Sequence, residues 1–74
     1  MPTLANNDEV AISQGVYDFD VTGALDLQWR PVSTFKTIKG ASFSGPDSDT
    51  IELPATTLKV INGGSNTITL LKVR

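Results

Sequence analysis

The side chains in this sequence that could do chemistry are carboxylates, hydroxyls, amides and a few amines, because cysteine and histidine are both absent. Nucleophilic catalysis needs a base beside the nucleophile, so the Ser-His and Cys-His pairs are excluded. A Ser-Lys pair can be drawn in several ways, and nothing in the local sequence selects one. Asp18 and Asp20 are the clearest paired carboxylates. On a strand they project from the same face about 7 Å apart. A glycosidase sets such a pair at the bottom of a cleft, and 74 residues leave little room for one; a wetted strand face accounts for both. Gly45-Pro46-Asp47-Ser48-Asp49 gathers oxygen atoms of the kind calcium accepts, but the EF-hand spacing and its terminal Glu are missing. A solvated turn is the expected state of that segment. Gly63-Gly64 is not followed by Lys-Ser/Thr and precedes a strand pattern, so it is no phosphate-cradling loop. Neither a thiolate nor an imidazole metal site can be built. The expectation is a non-catalytic chain with no metal, no cofactor and no catalytic residue.

The elements that would position these groups are strands. Apolar residues recur with a period of two, punctuated by Gly, Pro, Asn and Asp roughly every eight to twelve residues. Val10–Ser13 reads as a short first strand. In Gly15-Val16-Tyr17-Asp18-Phe19-Asp20-Val21 the residues Tyr17, Phe19 and Val21 share one face, and Asp18 and Asp20 the other. Thr22-Gly23 leads into Leu25, Leu27 and Trp29 alternating with Asp26, Gln28 and Arg30, as a hairpin or a sheet-crossing pair. Pro31 ends that strand or marks a bulge. Val32–Ile38 is a third strand in which Phe35 and Ile38 fall on opposite faces unless a bulge intervenes, and Gly40 ends it. Ala41–Ser44 is short and weak, and Gly45–Asp49 reads as a turn. Thr50–Leu53, the connector Pro54-Ala55, Thr56–Ile61, the Asn62–Asn66 turn and Thr67–Arg74 follow, with the last two strands expected to form a hairpin. Leu71 and Val73 face opposite to Ile68 and Leu70. That pattern means a strand crossing between sheets, a bulge that re-aims it, or an exposed apolar patch that contacts another protein.

The fold expected is all-β: a small antiparallel β-sandwich or jelly-roll-like barrel of about six to eight short strands. Residues 1–8 read as a polar N-terminal arm, disordered alone or ordered against a neighbour, and residues 9–74 as a single domain. Tyr17, Phe19, Trp29, Phe35 and Phe43 alternate with polar residues, so they are expected in the core, with Trp29 central and the Tyr17 hydroxyl near a sheet edge or partner. Stacking of these rings on bases or sugars is the alternative.

A chain of 74 residues buries only about 60 to 65% of its unfolded surface, and so small a core rarely supplies more than about 3 to 5 kcal/mol. With no disulfide or thiolate metal site, association with partners is the remaining route to extra stability. At 39% hydrophobic and 19% charged residues the chain is too apolar to be disordered. A net charge of −2 opposes non-specific nucleic-acid binding. No stretch approaches the roughly 20 apolar residues of a membrane span. The first residues lack the basic start and apolar run of a secretory signal, so the expectation is a soluble protein made in a cytoplasm, binding neither nucleic acid nor membrane.

Charge is unevenly placed along the chain. Residues 1–29 carry five acids (Asp8, Glu9, Asp18, Asp20, Asp26) and no base, a net −5. Residues 30–74 carry six bases (Arg30, Lys36, Lys39, Lys59, Lys72, Arg74) against three acids (Asp47, Asp49, Glu52), a net +3. Two readings stay open: the charges interleave across paired strands, or identical copies meet head to tail.

Taken together, Gly15–Val21, then Leu25-Asp26-Leu27-Gln28-Trp29-Arg30, then Ser33–Ile38, then Ile51-Glu52-Leu53-Pro54-Ala55-Thr56-Thr57-Leu58-Lys59-Val60 resembles small phage virion structural proteins of the capsid-decoration or head-tail accessory type. Those proteins show a Gly-x-Tyr/Trp start, a Leu-Gln strand, an aromatic strand and a Leu-Pro step before the last strands. Pro31-Val32 stands where a Gly-Pro-Asp/Asn-Gly turn is common in them. The resemblance implies a virion protein synthesised in the host cytoplasm, bound in many copies to a major capsid or tail protein and forming homo-oligomers. Multiplicity would stabilise a marginal domain by mass action and avidity. The contact is expected from Thr3, Leu4, Ala5, Asn6 and Asn7 of the arm, and from Leu71 and Val73. The alternative is a receptor- or carbohydrate-binding module of a tail fibre or spike with Trp29 or Tyr17 on the surface; a small inhibitor would have to use the Gly45–Asp49 loop.

Overall fold

A computed structural model describes residues 3–74. The alternation of apolar and polar side chains resolves into eight strands among these residues: β1 (Thr3–Leu4), β2 (Glu9–Ile12), β3 (Gly15–Val21), β4 (Leu25–Trp29), β5 (Lys36–Phe43), β6 (Asp47–Leu53), β7 (Thr56–Ile61) and β8 (Ile68–Lys72). They form two four-stranded sheets, ordered β1-β8-β3-β6 and β2-β7-β4-β5. Every pairing is antiparallel. β1 pairs with β8, β2 with β7, β3 with β6 and β4 with β5. The chain is therefore one long hairpin whose tip lies at residues 30–35, rolled so that successive pairs alternate between sheets. Two antiparallel sheets with that nested order make a jelly roll, which is the all-β sandwich expected from the sequence.

The face that each strand turns inward is the one its period of two marks. Tyr17 and Val21 of β3, Leu25 and Leu27 of β4, Ile38 and Ala41 of β5, Leu53 of β6, Leu58 and Val60 of β7, and Ile68 and Leu70 of β8 fill the space between the sheets. Phe19, Trp29, Phe43 and Ile51 pack around this core, with the Phe19 and Phe43 rings 5.3 Å apart and tilted. Among the described residues no buried side chain is charged or polar other than Tyr17, whose hydroxyl donates to the Ser13 carbonyl at 2.7 Å. That bond satisfies the phenol beside β3, as expected of a buried tyrosine. Trp29 is half-buried at the end of β4, so it packs at the margin of the core instead of its centre.

Several expectations are corrected. The last two strands are no hairpin, since β7 pairs with β2 and β4 while β8 pairs with β1 and β3 in the other sheet. β3 and β4 lie in different sheets, which is the sheet-crossing one of the two arrangements expected for them. The third strand begins at Lys36 instead of Val32, because residues 31–34 bend away after Pro31 and leave Val32 91% exposed. Gly40 does not end it: the glycine lies inside β5 at φ 83°, where the span from Asp26 to Gln28 on β4 faces Ser42 to Thr37 on β5. This bulge adds three residues to β5, so Ile38 and Ala41 both reach the core. Asp47, Ser48 and Asp49 are strand, not turn, and pair with Val21, Asp20 and Phe19.

The polar arm also needs correction. Its first two residues lie outside the described ones, but Thr3 and Leu4 pair with Thr69 and Ile68, and Leu4 is 2% exposed. Asn7 then donates to the Val60 carbonyl at 2.7 Å, and Asn6 Oδ1 accepts the Gly63 N–H at 3.0 Å. The segment is ordered against its own domain. Leu4→Ala is expected to cost about 2 to 4 kcal/mol, a large part of the stability of so small a domain; a urea midpoint unchanged from the parent would show that β1 adds nothing to the core.

Candidate functional site

Inward apolar residues leave alternate positions pointing outward, and on the β1-β8-β3-β6 sheet these build one continuous face. Thr3, Thr69, Asp20 and Ser48 lie side by side across the four strands, and Leu71, Asp18 and Thr50 form the next row. Ser48 donates to Asp20 Oδ1 at 2.6 Å, Thr50 to Asp18 Oδ1 at 2.9 Å, and Thr3 and Thr69 share a 3.0 Å hydroxyl contact. Asp18, Asp20, Ser48, Thr50, Thr69 and Leu71 line a shallow trough of about 470 Å³. Leu71 is 48% exposed on an inner strand of this sheet, and Val73, 42% exposed, continues the chain past β8 with its N–H on the Val16 carbonyl at 2.8 Å. Leu71 and Val73 are therefore both exposed, and β8 itself keeps Ile68 and Leu70 inward throughout.

Chemically this face is an acceptor surface. Both carboxylates are exposed to water. Each accepts from one hydroxyl, which leaves its remaining lone pairs open to other donors. Among the described residues no group of three or more His, Cys, Asp or Glu side chains is placed to hold a metal ion. No helix among them is long and apolar enough to cross a membrane.

The opposite outer face, on the β2-β7-β4-β5 sheet, is built differently. Glu9, Lys59, Gln28 and Thr37 lie across its four strands. At the hairpin tip the Arg30 guanidinium stands 5.4 Å and the Lys59 ammonium 5.5 Å from the centre of the half-buried Phe35 ring. Phe35, expected in the core, therefore lies outside it just before β5, because the strand starts only at Lys36, while Ile38 within β5 lies inside. The sequence shows the ring and the two cations but not their meeting, since Lys59 is brought from β7.

Charge is consequently sorted by sheet. The strands of the first sheet hold Asp18, Asp20, Asp47, Asp49 and Glu52 against Lys72; those of the second hold Glu9 and Asp26 against Lys36, Lys39 and Lys59, with Arg30 just beyond β4. Opposite charges do meet across strands at Glu9 and Lys59, but the acids of β3 have hydroxyls, not bases, as cross-strand partners.

The sheet edges are blunted, which turns attention to the faces. β1 has two residues and β2 four, and β5 carries the Gly40 bulge. β6 is longer, and there Asp47 accepts the Ser48 N–H at 2.9 Å and Asp49 the Thr50 N–H at 2.8 Å. Carboxylates on an edge amide occupy the donors a further strand would need. Of the residues expected to make partner contacts, Leu4 is core and Asn6 is committed to Gly63, whereas Thr3, Ala5 and Asn7 are exposed beside β1. Thr3, Leu71 and Val73 border one surface.

The chain matches no protein-family model, no curated protein and no solved structure.

Asp26, on the second outer face, accepts from Ser42 Oγ at 2.5 Å and from Asn62 Nδ2 at 2.9 Å. These donors, Ser42 foremost, hold its carboxyl below the ordinary value of 3.8. The folded state therefore binds this proton less readily than the unfolded chain, so the stabilisation is complete above the unfolded value and is lost as pH falls through the lower folded one. Asp26→Asn is expected to cost roughly 0.5 to 1.5 kcal/mol at neutral pH and to flatten the fall in stability below about pH 4. Denaturant titrations at several pH values check this, and a parent-like acid slope in the variant refutes it. For the β6 edge, replacing Asp47 and Asp49 together by Ala is expected to raise the rate of β-rich aggregation on warming, read by dye binding; an unchanged rate would mean the caps do not guard the edge.

Proposed function

We propose that this chain is a non-catalytic structural protein of a phage virion, carried in many copies on the capsid or tail surface, with the outer face of the β1-β8-β3-β6 sheet as its contact surface. The observation that carries the reading is Leu71, a large apolar side chain half exposed on an inner strand of an otherwise polar face. Leaving a leucine in water forgoes much of the roughly 1.5 to 3 kcal/mol that burial supplies, and with Val73 beside it a partner surface recovers that energy. The resemblance of residues 15–74 to small virion proteins supports the same reading, as does a domain too small to hold a thick core. The major capsid or tail protein is the partner this implies. A carbohydrate-binding module that displays Tyr17 or Trp29 has less support, because Tyr17 is buried with its hydroxyl taken and Trp29 packs against the core.

The test is sedimentation of the purified protein with virions of its source phage stripped of their own copies. Co-sedimentation at saturable stoichiometry is expected, weakened at least about tenfold by Leu71→Asp with Val73→Asp, the loss typical of removing a buried anchor. Circular dichroism establishes that the variant is folded. Protein that stays in the supernatant at every concentration overturns the reading.

A further inference from the structure

The two outer faces of the sandwich are complementary in kind. One presents the exposed carboxylates of Asp18 and Asp20 around Leu71; the other presents Arg30 and Lys59 around Phe35. The first holds Leu71 among carboxylates; the second holds Phe35 between two cations, and its strands carry Lys36, Lys39 and Lys59 against Glu9 and Asp26. With the edges blunted by shortness, by a bulge and by the Asp47 and Asp49 caps, faces are the route left for one copy to meet another. We propose that the occupant of the β1-β8-β3-β6 face is the β2-β7-β4-β5 face of a second copy of this chain, repeated head to tail; this rests on the reading of the first face as a contact surface.

The geometry sets the strength of the contact. Four strands spaced about 4.8 Å apart and running about 20 Å give a face near 400 Å², so a stacked pair buries about 800 Å² in total, short of the roughly 1,200 Å² at which specific complexes become stable alone. Isolated copies therefore separate on dilution. Copies held side by side on a particle are concentrated by their tethering, and a weak contact then orders them. Because the two contacting faces differ, the contact is heterologous: it propagates as a row unless the rotation between copies closes a ring. Charges of opposite sign fix which face meets which, and exposed charges of this kind are screened by salt.

Dilution of labelled protein from millimolar to micromolar, followed by amide chemical shifts at low ionic strength, is the test. Resonances around Asp18, Asp20 and Leu71 are expected to move together with those around Arg30, Phe35 and Lys59, and to stop moving when salt is raised. Asp18→Lys with Asp20→Lys, or Arg30→Glu with Lys59→Glu, is expected to weaken self-association at least about tenfold. All four substitutions in one chain exchange the signs of the faces and should restore it to within about threefold. Shifts confined to one face, or a four-fold variant that stays as weak as either pair, overturn the proposal. If the chain binds particles but shows no concentration-dependent shifts on either face, the first face docks on another virion component and only this inference fails. Self-association with the expected shifts but no particle binding leaves the inference standing and removes the virion reading.

Discussion

The structure depends on nested antiparallel pairing, in which the first strand closes on the last, the second on the seventh, the third on the sixth and the fourth on the fifth. Once the chain is doubled back in this way, rolling it places one side of every strand against the opposite sheet. Each strand then needs a single apolar side, and one layer of interdigitated side chains makes the whole core. No disulfide or buried ion pair is called on. The closing pair is the shortest, yet Leu4 within it is as buried as the central leucines, so the first few residues are part of the fold's closure and not an appendage.

That constraint also makes the surface. A strand with one side inside must expose the other, and the pairing decides which exposed sides become neighbours. The acids of β3 are set among the hydroxyls of β6 and β8, and on the far sheet Arg30, just beyond β4, and Lys59 of β7 meet at Phe35. The polarity across the sandwich does not follow the halves of the chain, since the first sheet draws Asp18 and Asp20 from one half and Asp47, Asp49 and Glu52 from the other. Interleaving of opposite charges occurs at Glu9 and Lys59, but the outer face around Asp18 and Asp20 is built from carboxylate and hydroxyl.

Much of the inside was legible. Tyr17, Phe19 and Val21 on one side of β3, and Leu25, Leu27 and Trp29 on one side of β4, follow from a period of two, because the pleat turns alternate side chains to opposite faces whatever the strand pairs with. Gly40 and the Asp47–Asp49 segment misled for a shared reason. Turn-forming residues can occupy a strand where the ladder is interrupted or one side is unpaired: Gly40 sits in a bulge and the aspartates on an edge, where their side chains bond the free amides. Leu4 was missed because two residues are too few to show a period.

The sequence by itself determined that the chain is all-β, which residues face inward on most strands, that no thiol or imidazole chemistry is available, and that Leu71 and Val73 fall on the side away from Ile68 and Leu70. These are local properties, set by residue type and by the alternation of the pleat. Only the tertiary structure decided that β7 and β8 part to different sheets, that Leu4 is core, and that Asp18, Asp20 and Leu71 share one face while Arg30, Lys59 and Phe35 share the other. Those are long-range pairings, up to 66 residues apart for Thr3 and Thr69. Their register is fixed by burying both sheets at once, which no window of neighbouring residues contains.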